Sequence, residues 1–344
     1  MSNASRFRVL AIGYIILFCI YGVGLLNPSI SLAGGHDQRD SKKGHMKPRF
    51  SFALIGDLPY NAEQEEKFYN LIDDINSSDP VFVVHDGDFK SGSSLCSDEL
   101  FYQRYNLFNT FAAPFIFVFG DNEWTDCHRI KAGAYDPVER LALLRRIFTQ
   151  GDQSLGQRTL LLTRQSEDPL YAGFRENVRW IYGDVMFVGL DIVGSNNNLG
   201  RTAEADAEYF ERNAANLAWI SQSFKLAEER GIRGVMLIIQ ADPRFDLSPS
   251  DSRRSGFNDF LKLLEEETIE FDAPVVLVHG DSHYFRIDKP MINSQTGRRV
   301  ENFTRVETFG SPDVHWVRAI VDFRDPNIFS FKQQIVESNL VPQP

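Results

Sequence analysis

Five times in this chain a short apolar run closes on a small residue and an aspartate. The phrases are "FALIGD" ending at Asp57, "VVHDGD" at Asp88, "FVFGD" at Asp121, "LIIQAD" at Asp242 and "VLVHGD" at Asp281. Short runs rich in β-branched and aromatic residues are the pattern of buried strands. Amphipathic helical stretches lie between several of them: "AEQEEKFYNLIDDIN", "VERLALLRRIFTQ" and "AEYFERNAANLAWISQSFKLAEERG". Strand–helix alternation predicts parallel pairing in an α/β fold, with ligands gathered beyond the carboxyl ends of the strands. The C-terminal part changes character. There "NFTRVETFG", "VHWVRAIVDF" and "NIFSFKQQIV" follow one another without a helix, which predicts an antiparallel addition to the sheet system.

A lone Gly-Asp is an ordinary turn, so the repetition carries the information. Several strands of one sheet ending this way bring Asp57, Asp88, Asp121 and Asp281 to a common edge. Two carboxylates about 4 Å apart repel by roughly 4 kcal/mol at an effective dielectric of 20. Such a cluster must take up protons or hold cations, and oxygen-rich sites suit hard or borderline divalent ions. His283, close behind Asp281, adds an imidazole.

The formal net charge of −11 argues against a nucleic-acid binder that works by neutralising phosphates. It leaves room for a phosphorylated substrate, because a bound cation reverses the local field. Arg6 and Arg8 precede an uncharged run from Val9 to Leu26, followed by Ser31-Leu32-Ala33. Residues 1–33 therefore read as a signal peptide or a retained membrane anchor, and either takes the chain out of the cytosol. Residues 34–49 are a polar linker, residues 50–335 a single domain with an aromatic-rich core drawn from 28 Phe, and residues 336–344 a frayed tail. Beyond Cys19, inside the targeting run, only Cys96 and Cys127 remain, a few residues after Asp88 and Asp121. In an oxidising compartment two such cysteines predict a disulfide.

In order and spacing, the motifs from Phe50 to about Ile287 resemble those of the calcineurin-like metallophosphoesterase superfamily. That pattern is a first Asp, then Gly-Asp, then Gly-Asn-His-Asp/Glu, then a lone His, then Gly-His-x-His. Here "GDLPY" supplies Asp57, "DGDFK" Asp88, "GDNEW" Asp121, Asn122 and Glu123, "IIQADP" the lone position, and "HGDSH" Asp281 and His283. The resemblance implies a four-layer αββα sandwich of two mixed sheets flanked by helices. It implies two divalent metal ions, with a hydroxide between them attacking phosphorus in line. Asp57 and His283 resemble ligands of the first metal and Asp88 the bridging carboxylate; Asp121, Gln240 and Asp281 fall at second-metal positions.

The departures from that pattern are informative. Pro59 stands where a His is frequent, and Asn122 where an acid His is usual. Gln240 replaces the lone His, or Asp242 does in another register, and Asp281 replaces the first His of the last motif. Loss of imidazoles favours Mn²⁺ or Mg²⁺, with Ca²⁺ or iron as further candidates, over Zn²⁺. Asn122 cannot protonate a leaving group, so His85, His128 and His279 become candidates, each against the plainer reading of a structural histidine. His85 falls three residues before Asp88, an offset that turns it to the opposite strand face. Lys90, with the serines of "KSGSS", could hold a phosphate or only shape a turn. Asn197 and Arg201 in the polar loop "GSNNNLGR", and Arg286, are candidates for substrate binding, and Trp124 for a stacking wall or core packing. The function expected is metal-dependent hydrolysis of a phosphate ester, on a phosphorylated small molecule or other phosphoester, outside the cytoplasm. Membrane attachment is expected only through the N-terminal segment. The alternative is a non-catalytic exported binding protein with a degenerate, structural metal site.

Overall fold

A computed structural model describes residues 49–340 of the chain. The expected targeting segment and most of the linker lie outside the described residues. Among the described residues, no helix is long and apolar enough to cross a membrane.

The strands are β1 Arg49–Ile55, β2 Val83–His85, β3 Phe115–Phe117, β4 Thr163–Arg164, β5 Val178–Tyr182, β6 Val185–Gly189, β7 Gly234–Ile238, β8 Val275–His279, β9 Arg286–Asp288, β10 Phe303–Glu307, β11 Trp316–Asp322 and β12 Phe329–Gln334. They form a five-stranded sheet, order β12-β11-β1-β2-β3, and a seven-stranded sheet, order β4-β5-β6-β7-β8-β10-β9. Strands β1, β2 and β3 pair in parallel, and so do β6, β7, β8 and β10. Both sheets are mixed, because β11 and β12 pair antiparallel beside β1, and β5 and β9 pair antiparallel in the larger sheet.

Side-chain alternation along the strands builds three apolar layers. In β1, Ala53 and Ile55 face helices α1 (Ala62–Ser77), α2 (Asp98–Phe108) and α3 (Pro137–Phe148), packing on Phe68, Phe108 and Leu144. Phe52 and Leu54 of the same strand face the other sheet, against Phe187, Ile238 and Val276. On the far side, Leu237 and Leu277 pack on Trp219 and Phe224 of helix Ala203–Glu229 and on Phe260 and Leu264 of helix Asn258–Phe271. The result is helix, sheet, sheet, helix, as expected. Helix α1 starts where Asn61 accepts from the Gln64 N–H, and α3 where Asp136 caps Val138 ahead of Pro137.

Three expectations need correction. The carboxylates do not share one sheet: Asp57, Asp88 and Asp121 follow β1, β2 and β3, while Asp281 follows β8 of the other sheet. The C-terminal strands are not one antiparallel block either, since β10 inserts parallel to β8 while β11 and β12 join the smaller sheet. The segment read as a frayed tail is packed as far as Asn339. Val336 is buried, and the Asn339 amide donates to the Lys67 and Val314 carbonyls.

Candidate metal centre

Each strand-end carboxylate is delivered by a backbone turn. Asp57, Asp88, Asp281 and His283 have φ of 51°, 61°, 74° and 61°, in the left-handed region that costs an ordinary L-residue roughly 1–2 kcal/mol and Asp less. The preceding glycines give them room. A Cβ on Gly120 would lie 2.1 Å from Asp88 Oδ1, and one on Gly280 would lie 2.1 Å from Asp57 Oδ2. Glu123 fastens the assembly from beneath, its Oε1 accepting from the Asp88 N–H at 2.8 Å and the Gly120 N–H at 3.3 Å.

Contacts between the two sheets close the cluster. The Asp281 N–H donates to Asp57 Oδ2 at 3.0 Å, and His283 Nε2 stands 3.5 Å from Asp57 Oδ1. His283 Nδ1 lies 2.7 Å from the Ser311 carbonyl. Donation there leaves the Nε2 lone pair facing the carboxylates, which is how a metal-binding imidazole is oriented. Asp88 Oδ1 accepts from the Asn122 N–H at 3.0 Å, and its Oδ2 accepts from the Asn122 side-chain NH₂ at 2.8 Å. The Tyr60 hydroxyl sits among these groups, 3.2 Å from Asp57 Oδ1 and 3.4 Å from Asp88 Oδ2.

The electrostatics call for cations. Burial, then the charges of Asp121, Glu123 and Asp57, push Asp88 well above the carboxylate range. Burial pushes Asp121 up to about 7, with Asp126 adding to it. Asp281 also rises to about 7, from burial and then from Asp121 and Asp57. Buried carboxylates facing one another in this way hold positive charge or stay protonated. Carboxylates with one imidazole turned toward them have the donor chemistry that suits a divalent cation, although among the described residues no three His, Cys, Asp or Glu side chains stand together as a ready-made metal-holding group.

Gln240 does not take the place expected of it. Its Oε1 accepts from the Gly194 N–H at 2.6 Å, and its NH₂ donates to Asp88 Oδ2 at 3.1 Å. It thus presents a donor rather than a ligand oxygen, and steadies Asp88. Asp242 turns away into an ion-pair cluster, with Arg244 and Arg286 each 3.3 Å from its Oδ2.

The polar loop after β6 does reach the site, through residues other than those expected. Ser195 to Asn198 all have positive φ, a left-handed turn made tolerable by its asparagines. Ser195 Oγ lies 2.8 Å from Asp121 Oδ2 and 3.1 Å from Asp126 Oδ1, so its one proton serves either carboxylate. Asn197 is fully buried, its amide spent on Arg212 and the Gly256 carbonyl, so it holds the loop together and faces no ligand. Arg201 is exposed and bonded to Asn198. A cavity of about 340 Å³ opens beside Asp281, lined by Ser195, Asn196, Arg244, Leu247 and Phe257 among others. Arg244 there went unnoticed in the sequence.

Other expectations resolve in place. Lys90 is buried, and its ammonium donates to the Ser91 and Asn122 carbonyls at 2.8 and 2.6 Å, pinning the two loops instead of facing a phosphate. His128 is exposed, with Nδ1 on the Thr125 carbonyl and no bond to the carboxylates. Arg286 is held by Glu307 at 2.6 Å as well as by Asp242. His85 and His279 are fully buried, with His85 Nε2 donating to Leu58 O and its Nδ1 accepting from the Gly87 N–H. Trp124 is core, capped by the Arg212 guanidinium 5.1 Å from its ring. The expected disulfide is present between Cys96 and Cys127, with Cα atoms 5.8 Å apart.

No curated protein sequence matches this chain. Among solved structures it is similar to a dimetal phosphatase from Danio rerio, at 13% identity, TM-score 0.49, and coverage of 83% of this chain and 96% of that one. It is also similar to a protein from Thermus thermophilus, at 8% identity, TM-score 0.46, and coverage of 84% and 99%. The profile of the calcineurin-like phosphoesterases matches residues 50–226, just over half of the sequence. The chain belongs to the calcineurin-like phosphoesterase family of metal-dependent phosphoric ester hydrolases.

Proposed function

We propose that this protein hydrolyses a phosphate ester outside the cytoplasm at a two-cation centre. Asp57, Asp88 and His283 would hold the first cation, and Asp88, Asp121 and Asp281 the second. The observation that carries the reading is the convergence of the buried Asp57, Asp88 and Asp121 with the half-buried Asp281 from two sheets, His283 standing against Asp57, while the nearby Lys90 ammonium is spent on backbone carbonyls. When bound, the cations supply Lewis acidity to the phosphoryl oxygens and acidify a water.

The chain's own groups set the rest. The Asn122 and Gln240 NH₂ groups keep Asp88 oriented by donating to its Oδ2. Asn122 has no proton to give a departing alkoxide, so leaving groups that are stable as anions, such as phenolates, suit the site best. Arg244, whose side chain is 42% exposed, offers a guanidinium on the cavity wall beside Asp281 for a substrate anion. The disulfide supports an oxidising compartment.

The same amides favour one second reading, an exported binding protein that keeps a structural cation and does not turn over substrate. Stripping the protein with chelator and restoring cations against aryl phosphate mono- and diesters separates the two. We expect turnover, restored better by Mn²⁺ than by Zn²⁺ because only one imidazole serves the centre. Cation binding without turnover of any ester would establish the binding protein instead.

A further inference from the structure

The guanidinium of Arg129 borders the carboxylate cluster at Asn122. A Cβ on Gly92 would lie 2.6 Å from Arg129 Nη1, 2.7 Å from Asn122 Oδ1 and 2.9 Å from Asp126 Oδ2, so the three atoms close over that glycine. Asn122 is turned in a definite sense. Its NH₂ lies 2.8 Å from Asp88 Oδ2 and 3.2 Å from the Tyr60 hydroxyl, so its donor side faces Asp88. Its Oδ1 faces Gly92 and Arg129 instead. Arg129 therefore stands on the side of Asn122 turned away from Asp88.

The backbone at Arg129 is pinned. It joins two short 3₁₀ turns, Thr125–His128 and Ile130–Ala132. The Arg129 N–H donates to the Asp126 carbonyl at 3.0 Å, and its own carbonyl accepts from the Ala132 and Ala134 N–H groups at 2.9 and 3.0 Å. Cys127, two residues earlier, is fixed to Cys96 by the disulfide. The buried Asp126 holds Nη1 at 2.6 Å, yet the Arg129 side chain is 47% exposed. A guanidinium carries five N–H donors, so one carboxylate oxygen leaves most of them for an acceptor arriving from solvent. Neighbouring cations are committed elsewhere, Lys90 to backbone carbonyls and Arg286 to Glu307 and Asp242.

We propose that Arg129 holds the leaving oxygen of the ester. The inference rests on the phosphoesterase reading above and supplies what Asn122 lacks. In an in-line displacement a water oxygen bonds to phosphorus from the carboxylate side, while the P–O bond to the leaving group breaks on the opposite side. The electron pair of that bond stays on the leaving oxygen, which points away from Asp88 and toward the side where Arg129 stands. The guanidinium steadies the growing charge by donating a hydrogen bond and keeps its own protons. The departing oxyanion takes its proton from solvent.

The test uses the exported chain, loaded with Mn²⁺, as wild type, Arg129→Gln and Arg129→Lys, with circular dichroism and metal content confirming folded, loaded protein. The readout is kcat/KM on para-nitrophenyl and phenyl esters of phosphate, as mono- and diesters, phenol being the more basic leaving group. We expect Arg129→Gln to lose about 100-fold on the phenyl ester but only about tenfold or less on the para-nitrophenyl ester. Arg129→Lys should recover part of the phenyl loss. A role confined to pairing Asp126 would depress both esters alike, because it would not reach the leaving oxygen. Equal losses on the two esters, or no loss, would overturn the proposal. Should Arg129→Gln fail to fold, the same comparison is made in Arg129→Lys, where the phenyl ester should again suffer more. A wild type that hydrolyses neither ester would instead defeat the phosphoesterase reading, and this inference with it.

Discussion

Asp57, Asp88 and Asp281 each leave a strand by entering the left-handed region, and each then meets other buried acids. Both conditions work against folding, and a bound cation would relieve the second by neutralising the acids. The glycines before the strand-end aspartates, Gly120 before Asp121 included, belong to the same arrangement. In Gly120→Ala the new Cβ would fall 2.1 Å from Asp88 Oδ1 and 2.5 Å from its backbone nitrogen, so Asp88 must move. Chelator competition should then show cation affinity falling by about tenfold or more, and unchanged affinity would separate Asp88 from the centre. On the cavity wall, Arg244→Ala should raise KM about tenfold, the equivalent of about 1.4 kcal/mol, with kcat little changed. An unchanged KM would remove Arg244 from substrate binding. The strand-end aspartates and His283 were legible because a repeated strand–Gly–Asp phrase is local. Tyr60 and Ser195 were not, since a hydroxyl gains its role only from the side chains that other strands bring to it. Gln240 was found at the right position with the wrong role, because the Gly194 N–H that fixes its amide comes from a distant loop.

At the scale of elements, the loops after β2 and β3 start side by side because those strands pair in parallel. Cys96 and Cys127 tie the two loops across 31 residues of chain, holding the segments that carry Asp88 and Asp121. Reduction should lower stability by about 3–4 kcal/mol on the chain-entropy model, visible as a drop in melting temperature, and should weaken cation binding with it. Finding two free thiols in unfolded, unreduced protein would refute this. The turn from Ser195 to Asn198 depends on Arg212 of the long helix, which donates to Asn197 Oδ1 at 2.7 Å and to its carbonyl at 3.1 Å. The polarity of that loop marked it in the sequence. Its left-handed path, which buries Asn197 and turns Ser195 toward Asp121, depends on a helix that follows it in the chain. Strand identity was likewise readable from apolar runs, whereas membership of one sheet or the other was not. Buried strands of both sheets carry the same residues, and β10 enters parallel to β8 with no helix before it to announce the crossover.

The molecule as a whole carries its histidines unequally. Burial holds His85 down at about 4, neutral between the Leu58 carbonyl and the Gly87 N–H. Unfolded, it titrates near 6.5. Between those values the unfolded chain binds more protons, so stability falls as pH drops through about 6.5 toward 4, by about 3 kcal/mol for this residue. Denaturant midpoints at pH 7 and pH 4.5 should show a smaller loss in His85→Gln than in wild type, and an equal loss would place the acid sensitivity elsewhere. The four-layer order followed from the family resemblance, and side-chain alternation along β1 explains it physically, since one strand must satisfy a helical layer on one face and a second sheet on the other. The account finally rests on Asp88, which the sequence placed and the structure surrounds with Asn122, Gln240, Tyr60 and Glu123. The most direct measurement is the metal content and aryl phosphate turnover of Asp88→Asn beside wild type, after both are loaded with Mn²⁺. Two bound ions and turnover in the wild type, with both lost in a variant that still folds, is the predicted result; an Asp88→Asn protein with wild-type metal content and activity would contradict it.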